Sequence, residues 1–143
     1  MFVIRPVDDK NIQKELCGVC QCDYLAEDFA YFAADLSEDG SKLLGILGIC
    51  QFALQNDCGI VHHLQPLPGT FDEEVLIIMV RTAMEFVHRC GCGTMVLADG
   101  ACSRDFGEKI GFRLQDGQYQ INLVDFYKSP CRYQAKLTKK DEQ

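Results

Sequence analysis

Residues 43–67 read LLGILGICQFAL, QNDC, GIVHHLQPL, and this stretch decides the fold. Leu43 to Leu54 is apolar on both faces apart from Gln51, the pattern of a strand covered on both sides inside a sheet. Asn56-Asp57-Cys58-Gly59 then turns the chain. Gly59 to Leu67 resumes as a strand that Pro66 and Pro68 bring to an end. A turn this short joins antiparallel neighbours.

C-terminal to this pair comes a long helix. Thr70 and Glu73 form a Thr-x-x-Glu capping box, and Asp72, Glu73 and Glu74 favour the positive end of the helix dipole. Val75 to Val87 is apolar almost all round, which predicts a largely buried helix, and Gly91 stops it. His88 near its end complements the dipole. Thr94 to Ala98 is a buried strand, which the helical crossover makes parallel to Gly59–Leu67. Ser103 to Ile110 reads as a short helix stopped by Gly111, and Gln118 to Tyr127 as a closing strand after an Asp116-Gly117 turn.

On the N-terminal side, Phe2 to Pro6 is a first strand. Asp8 or Asp9 caps a helix carrying Ile12, Leu16 and Val19, and Phe29 to Asp35 is a second strand before the turn Ser37 to Ser41. The order is β-α-β-β-β-α-β-α-β. It predicts a mixed α/β fold, a central mixed sheet flanked by helices. One domain is expected over residues 1–135, with a polar tail over 136–143 that frays.

The chain has 143 residues and a formal net charge of −7. No cluster of Lys and Arg is present to neutralise phosphates, so no nucleic-acid partner is expected, nor an anionic membrane surface. A cationic or amine partner suits the field better. The first residues carry no signal-peptide pattern, and no apolar run is long enough to span a bilayer, so a cytoplasmic protein is expected. Its nine cysteines then read as thiols. Cys17, Cys20 and Cys22 with Cys90 and Cys92 have chelate-like spacing, yet no sequence feature brings the groups together, so no metal is assigned. Cys50, Cys58, Cys102 and Cys131 read as small core fillers.

Four strings carry a resemblance: Gly107-Glu108-Lys109-Ile110-Gly111-Phe112-Arg113, His62-His63-Leu64-Gln65-Pro66-Leu67-Pro68 before the long helix, Arg89-Cys90-Gly91-Cys92 after it, and Ile4-Arg5-Pro6 at the start. At these spacings and in this element order, the chain resembles the GCN5-related N-acetyltransferases from Phe2 to Tyr127. The resemblance implies an acyl-CoA N-acyltransferase fold, with the strands Gly59–Leu67 and Thr94–Ala98 splayed at one end. It also implies transfer of an acyl group, acetyl above all, from acyl-CoA as co-substrate to an amine.

The resemblance places the acyl-CoA loop on Phe71 to Leu76, where this chain reads Phe-Asp-Glu-Glu-Val-Leu without the family's Arg and glycines. Pro68-Gly69-Thr70 offers a shifted anion nest. The candidate donor contacts are thus Gln65, Leu67, Gly69, Thr70 and Phe71, and backbone amides between His62 and Leu67 would polarise the carbonyl. The family's proton-donating Tyr falls on Gly107 and its Asn on Gly100, so Tyr119 or Tyr127 would have to stand in. His62 and His63 are the candidate bases, since imidazole titrates near neutrality. Adjacent on a strand, they are expected to point to opposite faces. The alternative to an enzyme is an acetyltransferase-like module that binds a small molecule or a protein without turnover.

Overall fold

A computed structural model describes residues 1–128. The expected polar tail 136–143, the end of the expected domain and Cys131 lie outside the described residues. The elements run β1 (Phe2–Pro6), α1 (Lys10–Val19), β2 (Phe29–Leu36), β3 (Leu43–Gln55), β4 (Cys58–Pro66), α2 (Glu73–Arg89), β5 (Thr94–Leu97), α3 (Arg104–Ile110), β6 (Arg113–Gln115), β7 (Gln118–Asn122) and α4 (Leu123–Lys128).

The strands form one seven-stranded sheet in the order β1-β2-β3-β4-β5-β7-β6. All neighbours are antiparallel except β4 and β5, which run parallel from Cys58↔Thr94 to Val61↔Leu97. The crossover between them is α2, as the sequence predicts. Helix α2 covers one face with Val75, Leu76, Met79, Val80, Ala83, Met84 and Val87 buried against Phe52, Val61, Leu64 and Met95. Helix α1 covers the other face through Leu16 and Cys17, packed with Ala30 and Ile49. Gly59 permits the closest approach of sheet and helix: a Cβ there would lie 2.7 Å from Met95 Sδ and from Val87.

The structure differs from the sequence reading at three places. The cap of α2 is Asp72, whose carboxylate accepts from Val75 N at 3.3 Å, whereas Thr70 turns back and donates to Leu67 O at 2.7 Å. The strand read over Gln118–Tyr127 ends at Asn122, whose side chain accepts from Asp125 N at 3.0 Å and starts α4. Apolar residues at 123, 126 and 127 then return to the α2 side, where Tyr127 stacks on His88 at 4.3 Å. Finally, Arg113–Gln115 pairs with β7 across the Asp116-Gly117 turn as a short edge strand that the sequence reading leaves out.

Candidate active site

The register between β3 and β4 slips by one residue. Gln51 pairs with His63 and Phe52 with Val61, so His62 is the extra residue of a β-bulge. This overturns the expectation that the two histidines face opposite ways. Val61 and Leu64 both point into the α2-side core, and the inserted residue leaves His62 and His63 together on the α1 side.

There each imidazole meets a different partner. His62 Nδ1 lies 2.7 Å from Asp28 Oδ2, and the Asp28 side chain is 5% exposed against 32% for His62. A carboxylate only accepts, so His62 Nδ1–H donates to it and the Nε2 lone pair is left for chemistry. His63 Nδ1 lies 2.8 Å from Gln51 Nε2. The Gln51 amide is oriented by its other bonds: Leu25 N donates to Oε1 at 3.2 Å, and Nε2 donates to Asp23 O at 2.8 Å. Nε2 is therefore the donor to His63 Nδ1, which keeps that imidazole neutral with its proton on Nε2. Burial, and then the neighbouring His62, hold the His63 pKa below its ordinary value. So held, His62 presents Nε2 as an acceptor and His63 presents Nε2–H as a donor.

The support beneath them is buried. Gln13 and Gln51 are fully buried, and Gln13 Nε2 donates to Gln51 Oε1 at 2.8 Å and to Asp28 O at 3.3 Å. Lys10 Nζ bonds both Gln13 Oε1 and the Asp28 carbonyl. Of this set the sequence singled out Gln51 alone, the one polar residue in an apolar strand. Asp28 carries no local signal, because its partner is 34 residues away.

The parallel ladder of β4 and β5 ends at Val61↔Leu97, and a cavity of about 390 Å³ lies beside the segments that follow, on the α2 side. Leu64, Gln65, Phe71, Leu76, Cys102 and Phe106 are among its walls. Of the five expected donor contacts, Gln65 and Phe71 line this slot. Leu67, Gly69 and Thr70 form the turn beside it, with Gly69 at φ 83°. The amides expected to polarise a carbonyl are partly engaged: Leu64 N donates to Ala101 O at 2.9 Å and Leu67 N to Leu47 O at 2.9 Å. Gln65 Nε2 also reaches Ala101 O, at 3.1 Å.

The proton donor is placed differently from the expectation. Gly107 faces the core, where a Cβ would sit 2.6 Å from Leu97 Cδ2, and it is Phe106 that faces the slot. Tyr119 donates to Glu108 at 3.3 Å and lines a second cavity, of about 440 Å³, with Ile60, Asp99 and Arg104. Tyr127 is stacked against α2. The proton-bearing side chains in the slot are Cys102 and Ser103, and burial pushes the Cys102 thiol up to about 11.

At the N-terminus of α2, the Asp72 carboxylate already caps the helix, and Glu73 pairs with Lys109 of α3 at 2.9 Å. Cys17, Cys20 and Cys22 lie near one another at the end of α1. Burial pushes Cys20 up to about 11 and Cys22 up to about 12, the state of protonated thiols.

No protein-family model matches the sequence, and no curated protein sequence matches it. Solved structures do. The chain is similar to the IAA acetyltransferase of Bacillus cereus, with 12% identity, 84% of this chain and 97% of that one covered, and a TM-score of 0.62. It is similar to the aminoglycoside 6′-N-acetyltransferase of Enterococcus faecium, at 13% identity, 85% and 97% coverage, and a TM-score of 0.60. A GNAT family acetyltransferase of Brucella melitensis, solved in complex with acetyl-CoA, superimposes at 14% identity, 85% and 88% coverage, and a TM-score of 0.59. With a long crossover helix, a parallel pair whose ladder ends at Val61↔Leu97 and a bulge in β4, the chain has the fold of the GCN5-related N-acetyltransferases.

Proposed function

We propose that the chain is an N-acyltransferase that moves an acyl group, acetyl in the first instance, from a thioester to an amine. The observation that carries this reading is the Asp28–His62 pair, set by the bulge beside the end of the β4–β5 ladder. The acyl arm enters the slot on the α2 side, as acetyl-CoA or a related thioester. The amine approaches from the α1 side, where the second cavity shares the His62 face of β4 through Ile60 and carries Asp99 at its rim. The amine lone pair attacks the thioester carbon, the C–N bond forms and the C–S bond breaks. His62 Nε2 takes the proton shed by the nitrogen, with buried Asp28 stabilising the imidazolium. The departing thiolate takes its proton from water. Holding both reactants across one strand supplies the proximity term.

The test is amide formation from acetyl-CoA and from smaller acetyl thioesters against a panel of primary amines. His62→Gln should lower kcat by about a hundredfold or more if it is the base. Asp28→Asn should lower kcat with little change in KM. Turnover that survives both changes would sink the dyad. One observation favours the alternative, a binding module without turnover: the Leu64 amide is already bonded to Ala101 O. Thioester binding by calorimetry without amide formation from any amine would decide for it.

A further inference from the structure

We infer that the slot selects a thioester whose arm is pantetheine-like and uncharged, and that it discriminates against the phosphate-rich end of CoA. The inference rests on the acyl-transfer reading and names the donor class of that same site.

The cavity of about 390 Å³ suits an extended, mostly apolar arm. Leu64, Pro66, Leu76, Phe71 and Phe106 give apolar wall, and Phe71 and Phe106 meet edge to face at 5.5 Å. Gln65, Cys102 and Ser103 are the polar side chains of the described lining; with Gln65 Nε2 bonded to Ala101 O and Cys102 Sγ to Ser103 O, the Gln65 Oε1 and the Ser103 hydroxyl proton are left to meet amides of an arm. Among the described residues, no Lys, Arg or His is in the lining.

The mouth is acidic. Asp72 occupies the cap and accepts from Val75 N, so the helix spends its positive end on its own carboxylate. Glu73 and Glu74 follow in the first turn. Lys109 reaches this end of α2, and Glu73 holds it at 2.9 Å. Arg104 and Arg113 are engaged elsewhere: Arg104 lies over Tyr119 beside the second cavity, and Arg113 donates to the carbonyls of Glu108 and Phe112. A pyrophosphate at this mouth would therefore meet carboxylates at close range, whereas a neutral arm loses nothing there.

The experiment is calorimetric titration of the full chain with acetyl-CoA and with S-acetylpantetheine, each at low and at moderate salt. S-acetylpantetheine should bind at least as tightly as acetyl-CoA, although it lacks the nucleotide and its phosphates. Added salt should tighten acetyl-CoA, because it screens a repulsion, and should leave S-acetylpantetheine unmoved. Asp72→Ser with Glu73→Gln keeps a neutral cap and frees Lys109. That double variant should gain about tenfold for acetyl-CoA and stay within about twofold for S-acetylpantetheine. Acetyl-CoA binding tenfold tighter than S-acetylpantetheine and weakening with salt would overturn the inference. So would failure of S-acetylpantetheine to bind at all. These are binding readouts, so a failure of the acyl-transfer reading shows separately, as no amide product and no effect of His62→Gln, with the affinity ratio unchanged.

Discussion

Gln51→Leu tests the buried network directly. The side chain gives up its bonds to Gln13, Leu25 N, Asp23 O and His63 Nδ1, all between 2.8 and 3.2 Å. Gln13 keeps the Asp28 and Leu25 carbonyls as acceptors, and Asp23 and His63 can turn to water. Leu25 N is the group left without a local replacement. A net loss of about 1 kcal/mol for the Leu25 N bond plus about 1–3 kcal/mol for that half-buried orphan is about 2–4 kcal/mol, and an apolar gain of about 1 kcal/mol from Leu brings it to about 2 kcal/mol. At a urea slope of about 2 kcal/mol/M this is a midpoint shift of about 1 M. Urea unfolding followed by circular dichroism reads it, and a loss under about 1 kcal/mol would refute the claim that Leu25 N depends on the Gln51 amide. Gln51→Glu sharpens the test. A carboxylate cannot donate to His63 Nδ1, so the imidazole must carry a proton there, and the adjacent negative charge favours its cationic form. The variant's stability should then rise as pH falls through the histidine range, opposite in sign to the parent.

In the parent, the folded His63 pKa lies below its ordinary value of 6.5, so the unfolded chain binds the proton first as pH falls. Stability should therefore decline from about pH 6.5 downward and level off once the folded imidazole titrates, a slope that His63→Asn should reduce in pH-dependent melts. Phe106→Tyr places a phenol in the slot and should raise kcat by about tenfold or more through protonation of the thiolate. Gly107→Tyr, the family-like residue at the wrong face of α3, should cost about 3 kcal/mol or more against Leu97 and bring no gain in rate. Cys17→Ser should leave the zinc and iron content of the purified protein unchanged and well below one per chain, as elemental analysis would show.

The order of elements was legible because the helices and strands carry strong periodicity, and α2 and β3 are long enough for that signal to dominate. The errors have specific causes. Thr70 and Asp72 are both good caps two residues apart, and the choice between them depends on the Leu67 carbonyl, which draws the Thr70 hydroxyl away. Residues 118–127 alternate well enough for a strand, but the Asn122 cap satisfies the first turn of a helix, and Leu123 and Phe126 then bury together. The bulge has no signature in residues 62–63, because it exists only in the pairing of β4 with β3. That one inserted residue decides which faces the histidines take, and so which carboxylate serves them.

The two sides of β4 differ in how they hold polar groups, and that difference bears on mechanism. On the α1 side, buried Gln13, Gln51 and Asp28 are each bonded, at the expense of desolvating them, and together they fix the ring orientation of both histidines. Polar groups this buried stabilise little by themselves, so what they contribute is geometry: an imidazole held within hydrogen-bond reach of a buried carboxylate. On the α2 side the slot is walled mainly by hydrophobic side chains, and the helix end that could hold a phosphate is capped by the chain's own Asp72. Acyl transfer needs a precise base on the amine's side of the strand, whereas the thioester arm needs only to be threaded past it. On the acyl-transfer reading proposed above, the buried polar residues serve the first of these tasks, so the acceptor side, and His62 in particular, is where substitutions should separate chemistry from binding.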